Sequence, residues 1–348
     1  MPLTQLNFQP GIDTENTPTG AEGKWIDCDK VRFRKGLPQK IGGWIKFSPG
    51  YYVGVGRALE QWFALDGARY EALGTDRKVY VYQGGDNQDI TPIRSTDALV
   101  NAISTTTSSN IITITDTNHG AIQGDFVTLS SVSTDVAGIP AATLDAEYEI
   151  LSISNVDAYT IQSSATANAN TGPTANCTAN YQLNIGPNEQ TFGYGWGAAT
   201  WNLSTWNTPR TTSQITLDAR LWSINNWGED LIITQKDGGT YEWDTSLGMT
   251  DNRATVIANA PTTSTLSMVS TETRHVVCMG TETTIGSVGT QDKMFIRWSD
   301  QENYNQWTPN VTNSAGSQRI AGGSDIRCAQ PAKGTILVWT DTTMQSMS

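Results

Sequence analysis

The sequence predicts an all-β chain: degenerate β-propeller-like repeats of antiparallel hairpins, with an inserted small β-barrel or sandwich domain. Three observations lead there. A strand–turn–strand phrase recurs with a Trp or Tyr near its second half. Almost no segment shows helical periodicity, because the long polar tracts hold no sustained i, i+3, i+4, i+7 apolar face. From about Asp97 to Gln182 the texture changes to Ser, Thr and Ala without any Trp.

The recurring phrase reads Tyr70-Glu-Ala-Leu-Gly-Thr-Asp-Arg-Lys-Val-Tyr-Val-Tyr82 and returns as Leu231-Ile-Ile-Thr-Gln-Lys-Asp-Gly-Gly-Thr-Tyr-Glu-Trp243. A looser copy joins His275-Val-Val-Cys-Met-Gly280 to Met294-Phe-Ile-Arg-Trp298, and a fourth begins at Ile336-Leu-Val-Trp339. Each is two β-rich runs around a polar or Gly turn, the mark of a hairpin. One hairpin cannot bury its own apolar face, so the copies must pack on each other. A propeller is the architecture that stacks such units. Without the insertion the copies lie on the order of 50–80 residues apart, a spacing that suggests strands lost between them. The fourth copy stops at Ser348, so the propeller is expected to be incomplete within the chain.

Four regions follow. Residues 1–50 form a basic lead-in. Here Trp25, Val31 and Phe33 are separated by polar or basic neighbours, as on a half-buried strand. Seven of the 22 basic residues fall in this region: Lys24, Lys30, Arg32, Arg34, Lys35, Lys40 and Lys46. In an acidic chain that asymmetry suggests a docking surface for an acidic neighbour or for phosphate; a solvated strand face is the alternative. Residues 51–96 hold the first propeller hairpins. Residues 97–182 form the inserted domain, with four alternating strand segments at Ile111–Thr115, Asn118–Leu129, Tyr148–Ile153 and Ala158–Gln162. Residues 183–348 supply further blades. They open on an aromatic–glycine stretch, Thr191–Trp206, whose Trp196, Trp201 and Trp206 are candidate interface residues.

Composition narrows the function classes. A net charge of −12 argues against a generic nucleic-acid binder. No apolar run approaches the roughly 20 residues of a membrane span, so membrane insertion is not expected. The N-terminus lacks the basic and apolar regions of a signal peptide, which makes a cytoplasm the default place of synthesis. Cys28, Cys177, Cys278 and Cys328 are far apart and read as buried free thiols rather than zinc ligands or disulfides.

Catalytic candidates are few. His119 sits in an Asn-His-Gly turn and His275 opens an apolar strand, and a site using both would have to join two domains. Asp300 and Glu302 lie beside Trp298 and Trp307, as glycosidase carboxylates lie beside aromatics, but Ser-Asp and Asn-Tyr-Asn are also turn formers. Asp237-Gly-Gly and Gly84-Gly-Asp-Asn read as turns, because the spaced oxygen ligands of a calcium loop are missing. No catalytic residue, cofactor or metal is therefore expected.

Lys30-Val-Arg-Phe-Arg-Lys-Gly-Leu-Pro-Gln-Lys-Ile-Gly-Gly-Trp44, after a Gly-Ile at Gly11, resembles the start of the tail tubular, or nozzle, proteins of short-tailed bacteriophages. There a basic strand runs into G-x-P-x-K-x-G-G-W. Arg297–Gly316, Ile336–Thr342 and the His119–Val127 phrase are similar to phage virion sequence. The resemblance implies a β-propeller-based structural protein of the virion, assembled in the host cytoplasm. It implies a homohexameric ring below the portal and its adaptor, forming the DNA exit channel, with tail fibre proteins as further partners. Lys30, Arg32, Arg34, Lys35, Lys40 and Trp44 would then make assembly contacts. An acidic wall would let genomic DNA pass without tight binding. Two other readings stay open: a receptor- or glycan-binding tail module using the insertion or residues 191–206, and a propeller hydrolase using Asp300 or Glu302.

Overall fold

The computed structural model describes residues 9–43, 45–46, 50–184, 219 and 221–348. The chain divides into two compact units, Met1–Pro49 and Gly50–Ser348. The first is built on a hairpin of β1 (Val31–Arg34) and β2 (Leu37–Lys40). Lys35 and Gly36 join the strands with φ of 51° and 78°, the two positive values that a type I′ turn needs. Pro38 faces Phe33, one pair beyond the turn, where its missing N–H costs no ladder bond. Val31 and Phe33 share the half-buried face, with Trp25 6.3 Å from Phe33 between ring centres.

In the second unit, β3 (Gly56–Phe63), β4 (Arg69–Thr75), β5 (Val79–Gln83) and β6 (Asp86–Asp89) form an antiparallel meander, the first blade. A nine-stranded module follows: β7 (Ile93–Leu99), β8 (Ile103–Thr105), β9 (Ile111–Thr115), β10 (Phe126–Ser130), β11 (Glu147–Glu149), β12 (Ser152–Asn155), β13 (Ala158–Gln162), β14 (Thr171–Thr174) and β15 (Cys177–Gln182). A one-turn helix, Ala141–Leu144, precedes β11. The second blade is β16 (Trp222–Trp227), β17 (Asp230–Gln235), β18 (Thr240–Trp243) and β19 (Thr255–Val256). The third is β20 (Leu266–Val269), β21 (Val276–Met279), β22 (Phe295–Trp298) and β23 (Gly316–Arg319). The fourth comprises β24 (Ile326–Ala332), β25 (Thr335–Thr340) and β26 (Met344–Met347).

The four recurring hairpins are thus β4–β5, β17–β18, β21–β22 and β25–β26, and each lies inside a larger blade. Among the described residues each of the first three blades keeps four strands, where the spacing suggests strands lost between copies. The wide spacing comes instead from long connections such as residues 299–315 between β22 and β23. First strands of successive blades lie side by side in the order β3, β16, β20, β24, as inner strands of propeller blades do.

Alternation then decides the cores. Along β17, Leu231 and Ile233 face the first blade, while Ile232 faces the third. Along β21, Val276 and Cys278 face the second blade, and Val277 and Met279 the fourth. A strand buried on both faces must be apolar throughout, which explains these unbroken runs.

Gly74 shows how tight the first interface is. A Cβ there would lie 2.7 Å from Trp222 Cδ1, and the Trp222 indole is itself tethered by donating Nε1–H to Thr75 O at 2.8 Å. Gly74→Ala is expected to cost about 1–3 kcal/mol by overpacking. A drop in urea midpoint at unchanged slope would register it; an unchanged midpoint would mean that Trp222 can move aside.

The nine-stranded module packs the sheet β11-β10-β15-β7 on the sheet β12-β13-β9-β8-β14. Ile112, Ile114, Val127, Leu129, Tyr159 and Ile161 fill the space between them. The run Tyr148–Ile153, which reads as one strand in the sequence, breaks at Ile150–Leu151: β11 joins one sheet and β12 the other. Ile93 of β7 pairs with Gln182 of β15, so the module enters and leaves at one place.

Candidate functional site

Residues 30–40 place the basic side chains on the hairpin of the first unit. Arg32 and Arg34 alternate with Val31 and Phe33 and are exposed. Arg32 Nε donates to Gln39 Oε1 at 3.0 Å across the strands. Lys35 sits in the turn, and Lys30 and Lys40 mark the hairpin's far end. Exposed ion pairs hold two lysines: Lys24 contacts Asp13 at 2.7 Å, and Lys30 reaches Asp29 at 3.8 Å. The Lys24 and Asn16 hydrogen bonds hold the Asp13 carboxyl well below the usual range. Trp44, Trp196, Trp201 and Trp206 lie outside the described residues. Charge is segregated between the units. Met1–Pro49 holds seven basic against five acidic residues, and the remaining 15 against 29 give Gly50–Ser348 a net −14.

The two histidines have separate surroundings. His119 is buried in the nine-stranded module, where Nδ1 accepts from Ala121 N at 3.0 Å and Nε2 faces Asn155 O at 3.3 Å. With Nδ1 accepting, Nε2 carries the proton, so both nitrogens are used in holding the loop. His275 immediately precedes β21, the third blade's second strand, with Nε2 3.1 Å from Ser314 Oγ.

Ser314 Oγ donates to Asp300 Oδ1 at 2.7 Å and accepts from Gln301 N at 2.9 Å. Its remaining lone pair meets His275 Nε2–H. The hydroxyl is a filled structural node, and its proton points to Asp300 rather than to a base that could activate it. Backbone and side-chain bonds from Ser314, with one from Gln301 N, hold the Asp300 carboxyl below its usual range. Glu302 is exposed, with φ of 54°, and its N–H bonds Arg274 O at 2.8 Å. Asp300 and Glu302 shape the turn after β22, as their turn-forming neighbours suggest.

Asp237 turns β17 into β18 and pairs with Lys293; Gln291 Nε2 donates to its Oδ1 at 3.1 Å. Burial pushes the Cys177 and Cys278 thiols up to about 11, which leaves them protonated and inert at neutral pH. Cys328 is exposed and Cys28 half-buried, contrary to the expectation that all four are buried. Among the described residues, no group of three or more His, Cys, Asp or Glu side chains is placed to hold a metal ion. No helix among them is long and apolar enough to cross a membrane.

One charged cluster escapes sequence reasoning. Lys78 pairs with Asp89 at 2.9 Å and with Glu147, and Arg253 reaches the same carboxylates at 3.3 and 3.6 Å. It joins the first blade, the nine-stranded module and the loop after β18. In the sequence Lys78 belongs to an Asp-Arg-Lys turn, and no local pattern shows that it is buried.

No family model matches this chain, and no curated protein matches it. Among solved structures it is similar to the phage phi92 endosialidase, at 11% identity and a TM-score of 0.25. The likeness covers 80% of this chain and 41% of that one.

Proposed function

We propose that the chain is a structural component of a phage tail nozzle, part of the ring-shaped DNA ejection channel below the portal and its adaptor. The observation that carries this reading is the segregation of charge. A small unit presents an exposed basic hairpin, and the propeller-like unit that follows carries −14. The hairpin is built from the residues that resemble the nozzle family's opening phrase.

The two parts suit two tasks. An acidic body repels phosphate and lets a duplex slide, whereas a basic wall would hold it. Arg32, Arg34 and Lys35 stand clear of the half-buried Val31 and Phe33, so they are available to an acidic neighbouring ring.

Electron microscopy of particles carrying this chain tests the role directly. A ring of this protein, six copies by the family resemblance, on the channel axis is the expected result; density elsewhere in the particle overturns it. Reversing Arg32, Arg34 and Lys35 to Glu is expected to stop attachment of the ring to its neighbour while the melting temperature stays unchanged. Normal tail assembly by that variant would remove the hairpin from the interface.

A further inference from the structure

We propose that the cleft between the third and fourth blades is a binding site for a neutral pyranose, stacked on Trp298 and hydrogen-bonded by Glu272 and the hydroxyls beside it. The cleft holds about 260 Å³. That is just below the roughly 300–1,000 Å³ of pockets for drug-sized ligands, which suits one sugar ring better than an extended chain.

Its walls have two characters. Val277, Trp298, Ile336 and Met347 supply an apolar side. Ser270, Thr271, Glu272, Thr273, His275 and Thr335 supply a polar one. A pyranose is likewise two-sided, with C–H bonds on its face and hydroxyls around its edge. It therefore pairs its face with an aromatic ring and its edge with hydroxyls and a carboxylate.

The platform is held before any ligand arrives. Trp298 Nε1 donates to Ser314 O at 2.9 Å, and a side chain at the paired Gly316 would collide with the indole. The close Gly316 backbone therefore backs the ring and restrains it, which lowers the ordering cost of binding. Glu272 is held too: Oε1 accepts from Gly334 N at 2.8 Å, across to the fourth blade's turn. Its Oε2 has no protein hydrogen bond among the described residues. Ser270 Oγ and Thr273 Oγ1 lie 2.8 Å apart, a donor–acceptor pair able to share two adjacent sugar hydroxyls.

Charge decides the class of sugar. Among the described residues that line the cleft Glu272 is the one carboxylate side chain and none is Lys or Arg, so a carboxylated or phosphorylated sugar is disfavoured against a neutral one. Burial pushes the His275 imidazole down, which disfavours its charged form. The site stands whether or not the chain forms a tail ring.

Saturation-transfer NMR on the full chain tests the proposal, with methyl α-glucoside, methyl α-galactoside and methyl α-mannoside as probes and N-acetylneuraminic acid as the charged comparison. At least one neutral glycoside is expected to bind saturably with Kd on the order of millimolar. Glu272→Gln, which keeps an acceptor for Gly334 on an exposed turn, is expected to weaken it about tenfold. Trp298→Phe, which keeps a ring but not its extent, is expected to weaken it as well. Failure of all three glycosides to bind overturns the site. So does binding that both variants leave unchanged, or a preference for N-acetylneuraminic acid.

Discussion

Replacing Trp243 by alanine is expected to cost about 3–5 kcal/mol, a large share of the roughly 5–15 kcal/mol that stabilises a typical domain. Trp243 is fully buried between the first and second blades. Its ring meets Trp62 edge-on at 6.3 Å and Tyr70 at 6.0 Å, while Trp62 and Tyr70 stack at 5.3 Å. The indole N–H donates to Asn252 O at 3.1 Å, which ties β18 to the connection leading into β19. Alanine would lose the transfer energy of the indole, open a cavity beside Trp62 and Tyr70 and strand a buried carbonyl. Trp243→Phe separates these terms. It keeps a ring and loses the donor, so the expected cost falls to about 1–3 kcal/mol. Urea midpoints of the two variants give the comparison. An alanine variant within about 1 kcal/mol of the parent would mean that the blades do not depend on this cluster.

The same residue explains why the sequence exposes the fold only in part. Middle strands such as Asp230–Gln235 and Val276–Met279 serve two interfaces at once, so they carry apolar runs that stand out. Their hairpin partners bring aromatics into the cores between blades, which is why a Trp or Tyr recurs with them. The flanking strands lack that signal. β6 reads Asp-Asn-Gln-Asp, β23 reads Gly-Ser-Gln-Arg and β19 is two exposed residues. These partly or largely exposed strands form by pairing with a buried neighbour, so their residues need not look like strands. The basic hairpin is legible because its turn and alternation are local. The cleft is not, because Glu272, His275, Val277 and Trp298 of the third blade meet Thr335, Ile336 and Met347 of the fourth only once two blades have packed.

The second large effect is expected at Lys78, whose side chain is only 3% exposed. Its ammonium lies against two carboxylates and 4.2 Å from the centre of the Phe126 ring. Glu147 and Phe126 belong to the nine-stranded module, Asp89 and Lys78 to the first blade, and Arg253 to the loop after β18. Lys78→Met is expected to cost about 3–5 kcal/mol, because it leaves two partly buried carboxylates to share Arg253. Adding Glu147→Leu should recover most of that loss, since Arg253 and Asp89 then pair one to one. The acid response carries the same signature. Burial works against the Asp89 carboxylate, but Lys78 and Arg253 outweigh it and hold the group below its usual range. A carboxyl whose folded pKa is depressed contributes its stability in full above its unfolded value, about 3.9, and loses it as the pH falls through the folded value. The parent's melting temperature should therefore fall more steeply below about pH 4 than that of Lys78→Met/Glu147→Leu. Parallel acid profiles would show that the ion cluster does not hold the nine-stranded module to the blades, and that the Ile93–Gln182 pairing carries the attachment instead.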